Sequence, residues 1–166
     1  MRITFEAVRT PEQSEALAAI ADEVWHEHFA SILSPEQIDY MVERFQSVPA
    51  LTDQLQNQGY RYFFLTLGGV RIGYTGVRPD GEGKLFLSKL YILKPYRGQG
   101  YASEAFAFLE RLCAEEGLSA IWLTVNRFNT NTIAVYEKKG FVTVRTQVAD
   151  IGSGFVMDDY IMEKTL

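Results

Sequence analysis

Apolar and polar positions change their spacing several times along the chain, and each change marks an element. Ile3 to Val8 reads as a first strand. Thr10-Pro11-Glu12-Gln13 then has the form of a helix start, with Thr10 as N-cap, Pro11 at the first position and Gln13 closing a capping box. The 3.6-residue period that follows sends Leu17, Ile20, Ala21 and Val24 inward. Ser34-Pro35-Glu36-Gln37 repeats the start signal for a second helix, with Ile38, Met41, Val42 and Phe45 on one face. A short helical piece is expected from Leu51 to Gln58, closed by Gly59. Tyr60 to Leu67 and Val70 to Val77 flank Gly68-Gly69, which predicts a hairpin. Pro79-Asp80-Gly81 turns the chain again.

Leu85 to Leu93 is an apolar run that predicts a buried strand in the middle of a sheet, ended by Pro95. After Gly98 and Gly100, the positions Ala102, Ala105, Leu109, Leu112 and Cys113 recur at helical spacing, and Gly117 stands at the expected C-terminal cap. Ala120 to Val125 predicts a strand and Thr130 to Lys139 a short helix stopped by Gly140. Phe141 to Val148 and Phe155 to Lys164 predict two final strands. The order β-α-α-β-β-β-α-β-α-β-β predicts an α/β (α+β) fold, a mixed sheet with helices packed on it.

Composition narrows this picture. At 166 residues the chain is expected to form a single domain, 1–166, and 47% hydrophobic with 22% charged residues is a globular composition. A net charge of −5 without a Lys/Arg cluster argues against nucleic acid as a partner. No apolar run approaches bilayer length and no leader pattern is seen, so no membrane association is expected. Cys113 is the only cysteine, so no intramolecular disulfide can form and a cytoplasmic location is the expectation.

The chemistry concentrates at the strand–turn–helix around Gly98 and Gly100. A helix N-terminus carries unpaired N–H groups and partial positive charge, and glycines before it let a phosphate approach. Arg97 could add a charge-assisted contact. The alternative is a tight turn with two convenient glycines. A dinucleotide fingerprint is only partly met, because Ser103 stands at the third glycine position.

Arg97-Gly98-Gln99-Gly100-Tyr101-Ala102 resembles the (Arg/Gln)-x-x-Gly-x-(Gly/Ala) signature of the GNAT superfamily of N-acetyltransferases. Asn129-Thr130-Asn131-Thr132-Ile133-Ala134-Val135-Tyr136-Glu137-Lys138-Lys139-Gly140-Phe141 resembles that family's second block, with Thr132 where Ala is usual and Val135 where Leu is usual. The resemblance covers Leu85 to Phe141. It implies the GNAT acyl-CoA N-acyltransferase fold, with a mostly antiparallel sheet flanked by helices. Its cosubstrate is acetyl-CoA, with no metal.

The implied activity is acetyl transfer to a primary amine of a small molecule, with a polyamine among the candidates, or of a peptide. The alternative is a catalytically silent acyl-CoA-binding sensor or partner module. A homodimer is also allowed. Carried onto this chain, the family's site puts the pantetheine arm along Leu90, Tyr91 and Ile92. The pyrophosphate falls on Arg97, Gly98, Gln99, Gly100, Tyr101 and Ala102, with Asn129 on the cofactor arm. Tyr136 becomes the acid that protonates the leaving thiolate. Trp25 and His28 line the acceptor side.

Each of these residues has a plainer reading. Tyr136 could pack its helix on the sheet, Asn129 could serve as an N-cap, and Trp25 and Phe29 could belong to the core. Asp158 and Asp159 could attract a cationic acceptor or sit as solvated charges on an edge strand, pointing to opposite faces. The predicted strand around Leu90 contains no acid, so the general base stays open among Glu27, Asp39 and Ser88. His26 and His28 lie about 200° apart on a helix and do not face one metal position.

Overall fold

The computed structural model describes residues 2–166. Seven strands form one sheet in the order β1-β2-β3-β4-β5-β7-β6: β1 Thr4–Ala7, β2 Arg61–Leu67, β3 Val70–Pro79, β4 Leu85–Ile92, β5 Ala120–Asn126, β6 Val142–Gly152 and β7 Phe155–Thr165. Five helices accompany them: α1 Pro11–His28, α2 Pro35–Phe45, α3 Val48–Asn57, α4 Tyr101–Glu116 and α5 Thr130–Lys138. β1 with β2, β2 with β3, β5 with β7 and β6 with β7 pair antiparallel, and β4 pairs with β5 in parallel. This is the mixed, mostly antiparallel α/β arrangement expected from the element order.

The chain packs as two compact units. The first runs through Arg78 and resumes over Lys89–Leu109; the second is Pro79–Ser88 with Glu110–Leu166. In the first unit, Thr10 and Gln13 make the reciprocal capping box at 3.2 and 2.9 Å, and the Ser34 hydroxyl accepts from the Gln37 N–H at 3.1 Å. Such caps contribute about 1 kcal/mol each by satisfying N–H groups that a helix start leaves bare. Leu17, Ala21 and Val24 of α1 and Ile38 and Met41 of α2 are buried, as their spacing predicts. Ile3, Leu65 and Ile72 form a core cluster with Tyr101 and Ala105 of α4, which seats the first turn of that helix. Gly73 permits a close approach within this unit, since a Cβ there would lie 2.2 Å from the Tyr91 carbonyl oxygen.

Several expectations are corrected. The third helix begins at Val48 rather than Leu51, because Ser47 caps it and Pro49 fits its first turn. In β4 only Leu85 and Leu87 are buried and the other residues are less enclosed, so it is not the buried strand its apolar run predicts. Its parallel register with β5 covers Leu85, Phe86 and Leu87, whereas the strand continues to Ile92. β7 is not an edge strand, since it lies between β5 and β6. β6 is the edge, with Val142, Val144 and Val148 exposed.

Candidate active site

After β4, a short 3₁₀ turn at Lys94–Tyr96 leads into Arg97-Gly98-Gln99-Gly100 and the start of α4. Gly98 and Gly100 have φ of +74° and +86°, the left-handed region where a side chain is strained. Nothing lies within 4 Å of where a Gly98 Cβ would stand. The turn is braced from two sides. Arg97 donates from Nε to the Ile92 carbonyl at 2.7 Å, and from both terminal nitrogens to the Glu27 carboxylate at 2.7 and 2.9 Å. Arg2 donates to the Gln99 carbonyl, and the Arg2 and Ile3 N–H groups donate to Glu104 at 2.6 and 3.1 Å. The Arg97 guanidinium is therefore occupied by Glu27 and Ile92. What the turn offers an anion is its glycines and the N-terminus of a sixteen-residue helix.

The same unit holds an aromatic group. Trp25, 4% exposed, donates its indole N–H to the Tyr74 hydroxyl at 2.9 Å. Tyr74 donates to Gln46 Oε1 at 2.9 Å, Gln46 donates to the Tyr62 hydroxyl at 3.3 Å, and Tyr62 donates to Gln54 Oε1 at 2.6 Å. This buried chain gives Trp25 the core role that was its plainer reading. His28 is half-buried and meets Phe29 and Tyr91 edge-on, at 4.8 and 5.4 Å between centroids. Burial, aided by the Arg97 charge, pulls the His28 pKa down and favours the neutral ring. The Lys89 ammonium lies 6.0 Å from the centre of a Trp25 ring, and burial brings its pKa down to about 8.

Asn129 and Tyr136 belong to the second unit. Asn129 stands at the N-cap position of α5, but its side chain makes no capping hydrogen bond. The half-buried Tyr136 packs against Phe141 at 5.7 Å, and burial pushes its phenol up to about 12. At the end of β5, Asn126 faces Asp159 of β7. Asp159 is 7% exposed, and burial, reinforced by the neighbouring Asp158, raises its carboxyl to about 6. Asp158 instead pairs with Arg127 at 3.3 Å. The solvated-edge reading thus fails for Asp159.

The structure gathers Trp25, His28, Tyr91, Ile92 and the Arg97–Ala102 turn in one unit. Leu90 belongs there too, among the partly buried residues packed on the Ile3 cluster. Lys89 and the Gln46–Gln54 network were not legible in the sequence, since a glutamine on a helix carries no burial signal. Asp159 did carry one, because its same-face neighbours on a strand are Met157 and Ile161. Among the described residues, no group of three or more His, Cys, Asp or Glu is placed to hold a metal ion. No helix among them is long and apolar enough to cross a membrane.

The profile of the Acetyltransferase (GNAT) family matches residues 17–141. The chain belongs to that family and is an N-acetyltransferase by class. It is similar to an uncharacterized N-acetyltransferase of Mycobacterium tuberculosis, with 26% identity over 153 residues, covering 92% of this chain and 97% of that protein. Among solved structures it resembles the PaiA N-acetyltransferase from Thermoplasma acidophilum in complex with coenzyme A. That pair has a TM-score of 0.79 and 24% identity, with 100% of both chains covered. It also resembles a spermidine N-acetyltransferase chimera from Vibrio cholerae and hSSAT, with a TM-score of 0.71, 16% identity, and 99% and 96% coverage. These likenesses establish the shared fold.

Proposed function

We propose that this chain, acting as one domain over 1–166, moves the acetyl group of acetyl-CoA to a primary amine of a small molecule or peptide by direct attack in a ternary complex. The observation that carries this is the braced turn from Arg97 to Gly100 feeding the N-terminus of α4, where two positive-φ glycines keep side chains away from an incoming phosphate. The coenzyme A held by the Thermoplasma relative supports the same donor here. In this reading the pyrophosphate sits on residues 97–102, the pantetheine arm runs along the backbone of Leu90, Tyr91 and Ile92 as an added strand would, and Asn129 contacts the arm.

Chemistry then needs few side chains, because holding amine and thioester together supplies much of the acceleration. The amine nitrogen attacks the thioester carbonyl, the C–S bond breaks, and Tyr136 gives its proton to the departing sulfur. Its buried phenol stays protonated at neutral pH, the state a donor requires. Trp25 supports the acceptor side from the core, and neutral His28 presents an uncharged edge beside it. The spermidine enzyme of the same fold supports a polyamine among the acceptors tried. The test is release of coenzyme A thiol from acetyl-CoA across a panel of alkylamines, polyamines and peptide N-termini. Turnover with any of them supports the reading, and none across the panel contradicts it.

A further inference from the structure

An N-acetyl transfer at neutral pH needs a group to remove a proton from the acceptor, because alkylamines are mostly ammonium ions there. The acids first open for this role are otherwise engaged. Glu27 is held by both terminal nitrogens of Arg97, and exposed Asp39 hydrogen-bonds to His26. Asp159 is different. Its side chain is enclosed, yet among the described residues its Oδ1 is the buried side-chain oxygen or nitrogen with no hydrogen-bond partner. A buried polar atom left unpaired costs about 1–3 kcal/mol, more if charged, which points to a partner that arrives with the ligand.

The surroundings fit a cationic guest. Arg127 pairs with Asp158 and stacks over Tyr160, and those two residues share the strand face opposite Asp159. Across the ladders Asp159 meets only neutral residues, Asn126 on β5 and Gln147 on β6. Asp158 adds a second negative charge beside it on β7. Asn126 ends β5 three residues before Asn129, and α5 with Tyr136 follows directly. Asp159 thus stands where β5 hands over to the helix that carries the proposed acid.

We propose that Asp159 is the general base of the transfer, attracting the ammonium form of the acceptor and taking one proton from it. This rests on the acetyl-CoA-dependent reading above. The neutral amine then forms the C–N bond as the C–S bond breaks. The sulfur takes the Tyr136 proton, the remaining extra proton on the amide nitrogen restores the phenol, and Asp159 returns its proton to water. The sum is ammonium plus thioester giving amide, thiol and one released proton.

Asp159→Asn preserves the size of the side chain and removes its basicity. Turnover should fall about 100-fold for an alkylamine at neutral pH, while acetyl-CoA affinity stays within about twofold. With hydroxylamine, already neutral at that pH, the loss should shrink below about tenfold. An equal loss with both acceptors, or no loss, overturns the proposal. Should the variant not fold, the wild-type pH profile decides. Expressed per total alkylamine, nearly all of it ammonium at these pH values, kcat/KM should rise with pH up to about 6 and level off above it, and a rise of about tenfold per pH unit that runs unbroken through 6 overturns Asp159 as base. Wild-type protein that binds no acetyl-CoA removes the underlying reading instead, whereas a turning-over enzyme indifferent to Asp159→Asn removes this inference alone.

Discussion

Glu27 of α1 and Arg97 of the glycine turn form a two-pronged ion pair, with both nitrogen–oxygen distances below 3 Å, at 2.7 and 2.9 Å. Both side chains are about one-third exposed, at 36% and 37%, so the pair contributes under about 1 kcal/mol to stability. Its larger effect is to hold the guanidinium away from any ligand. Glu27→Gln should release Arg97 toward the phosphates and tighten acetyl-CoA binding by about two- to fivefold, the worth of one added charge-assisted contact. A weaker complex by calorimetry contradicts that role. The Arg97 hydrogen bond holds the Glu27 carboxyl below its ordinary 4.5, so the pair stabilises above that value and is lost as pH falls through the lowered one.

Tyr74→Phe removes one hydroxyl from the buried chain that joins Trp25, Gln46 and Tyr62. It leaves the Trp25 N–H without its acceptor and Gln46 Oε1 without its donor. Urea denaturation should show a loss of about 1–3 kcal/mol. A change inside about 0.5 kcal/mol means that the network relaxes and its members are not held as described.

Tyr136→Phe keeps the ring that packs on Phe141 and deletes the proposed proton donor. Turnover should fall about 100-fold or more, with the dissociation constant for acetyl-CoA unchanged. Unchanged turnover removes Tyr136 as the acid.

His26 ties α1 to α2 through its hydrogen bond to Asp39, which raises its pKa above 6.5, with the Asp22 carbonyl also accepting. A raised folded value stabilises fully below the unfolded value and is lost as pH rises through the folded one. Stability should therefore decline slightly from about pH 6.5 upward, and Asp39→Asn should flatten that slope. A variant with the same slope as wild type assigns it to other groups.

Much of the fold was legible because its signals are local. The Thr10–Gln13 box, the Gly68-Gly69 hairpin and the glycines after β4 each state their geometry within a few residues, and the structure places them as read. The start of α3 was missed because Ser47 and Pro49 precede the apolar spacing that marked it. Sheet order was not legible, since nothing between Gly140 and Lys164 says that β7 inserts beside β5 and leaves β6 outside. The need for Gly73 is not legible locally, because the Tyr91 carbonyl it admits lies eighteen residues away in the chain. In the site, the positive-φ glycine turn ahead of α4 follows from sequence alone. The Glu27 clamp and the unpaired Oδ1 of Asp159 required the packing, although the apolar same-face neighbours Met157 and Ile161 already signal burial of that carboxyl.

The most direct test is a calorimetric titration of the purified protein with acetyl-CoA, run beside Gly100→Trp. At φ +86° the variant strains the turn, and an indole there would occupy the proposed phosphate position. Micromolar binding by wild type, abolished in a folded variant, is the predicted result. A folded wild-type protein that binds no acetyl-CoA, or a variant that binds it equally well, would contradict the account.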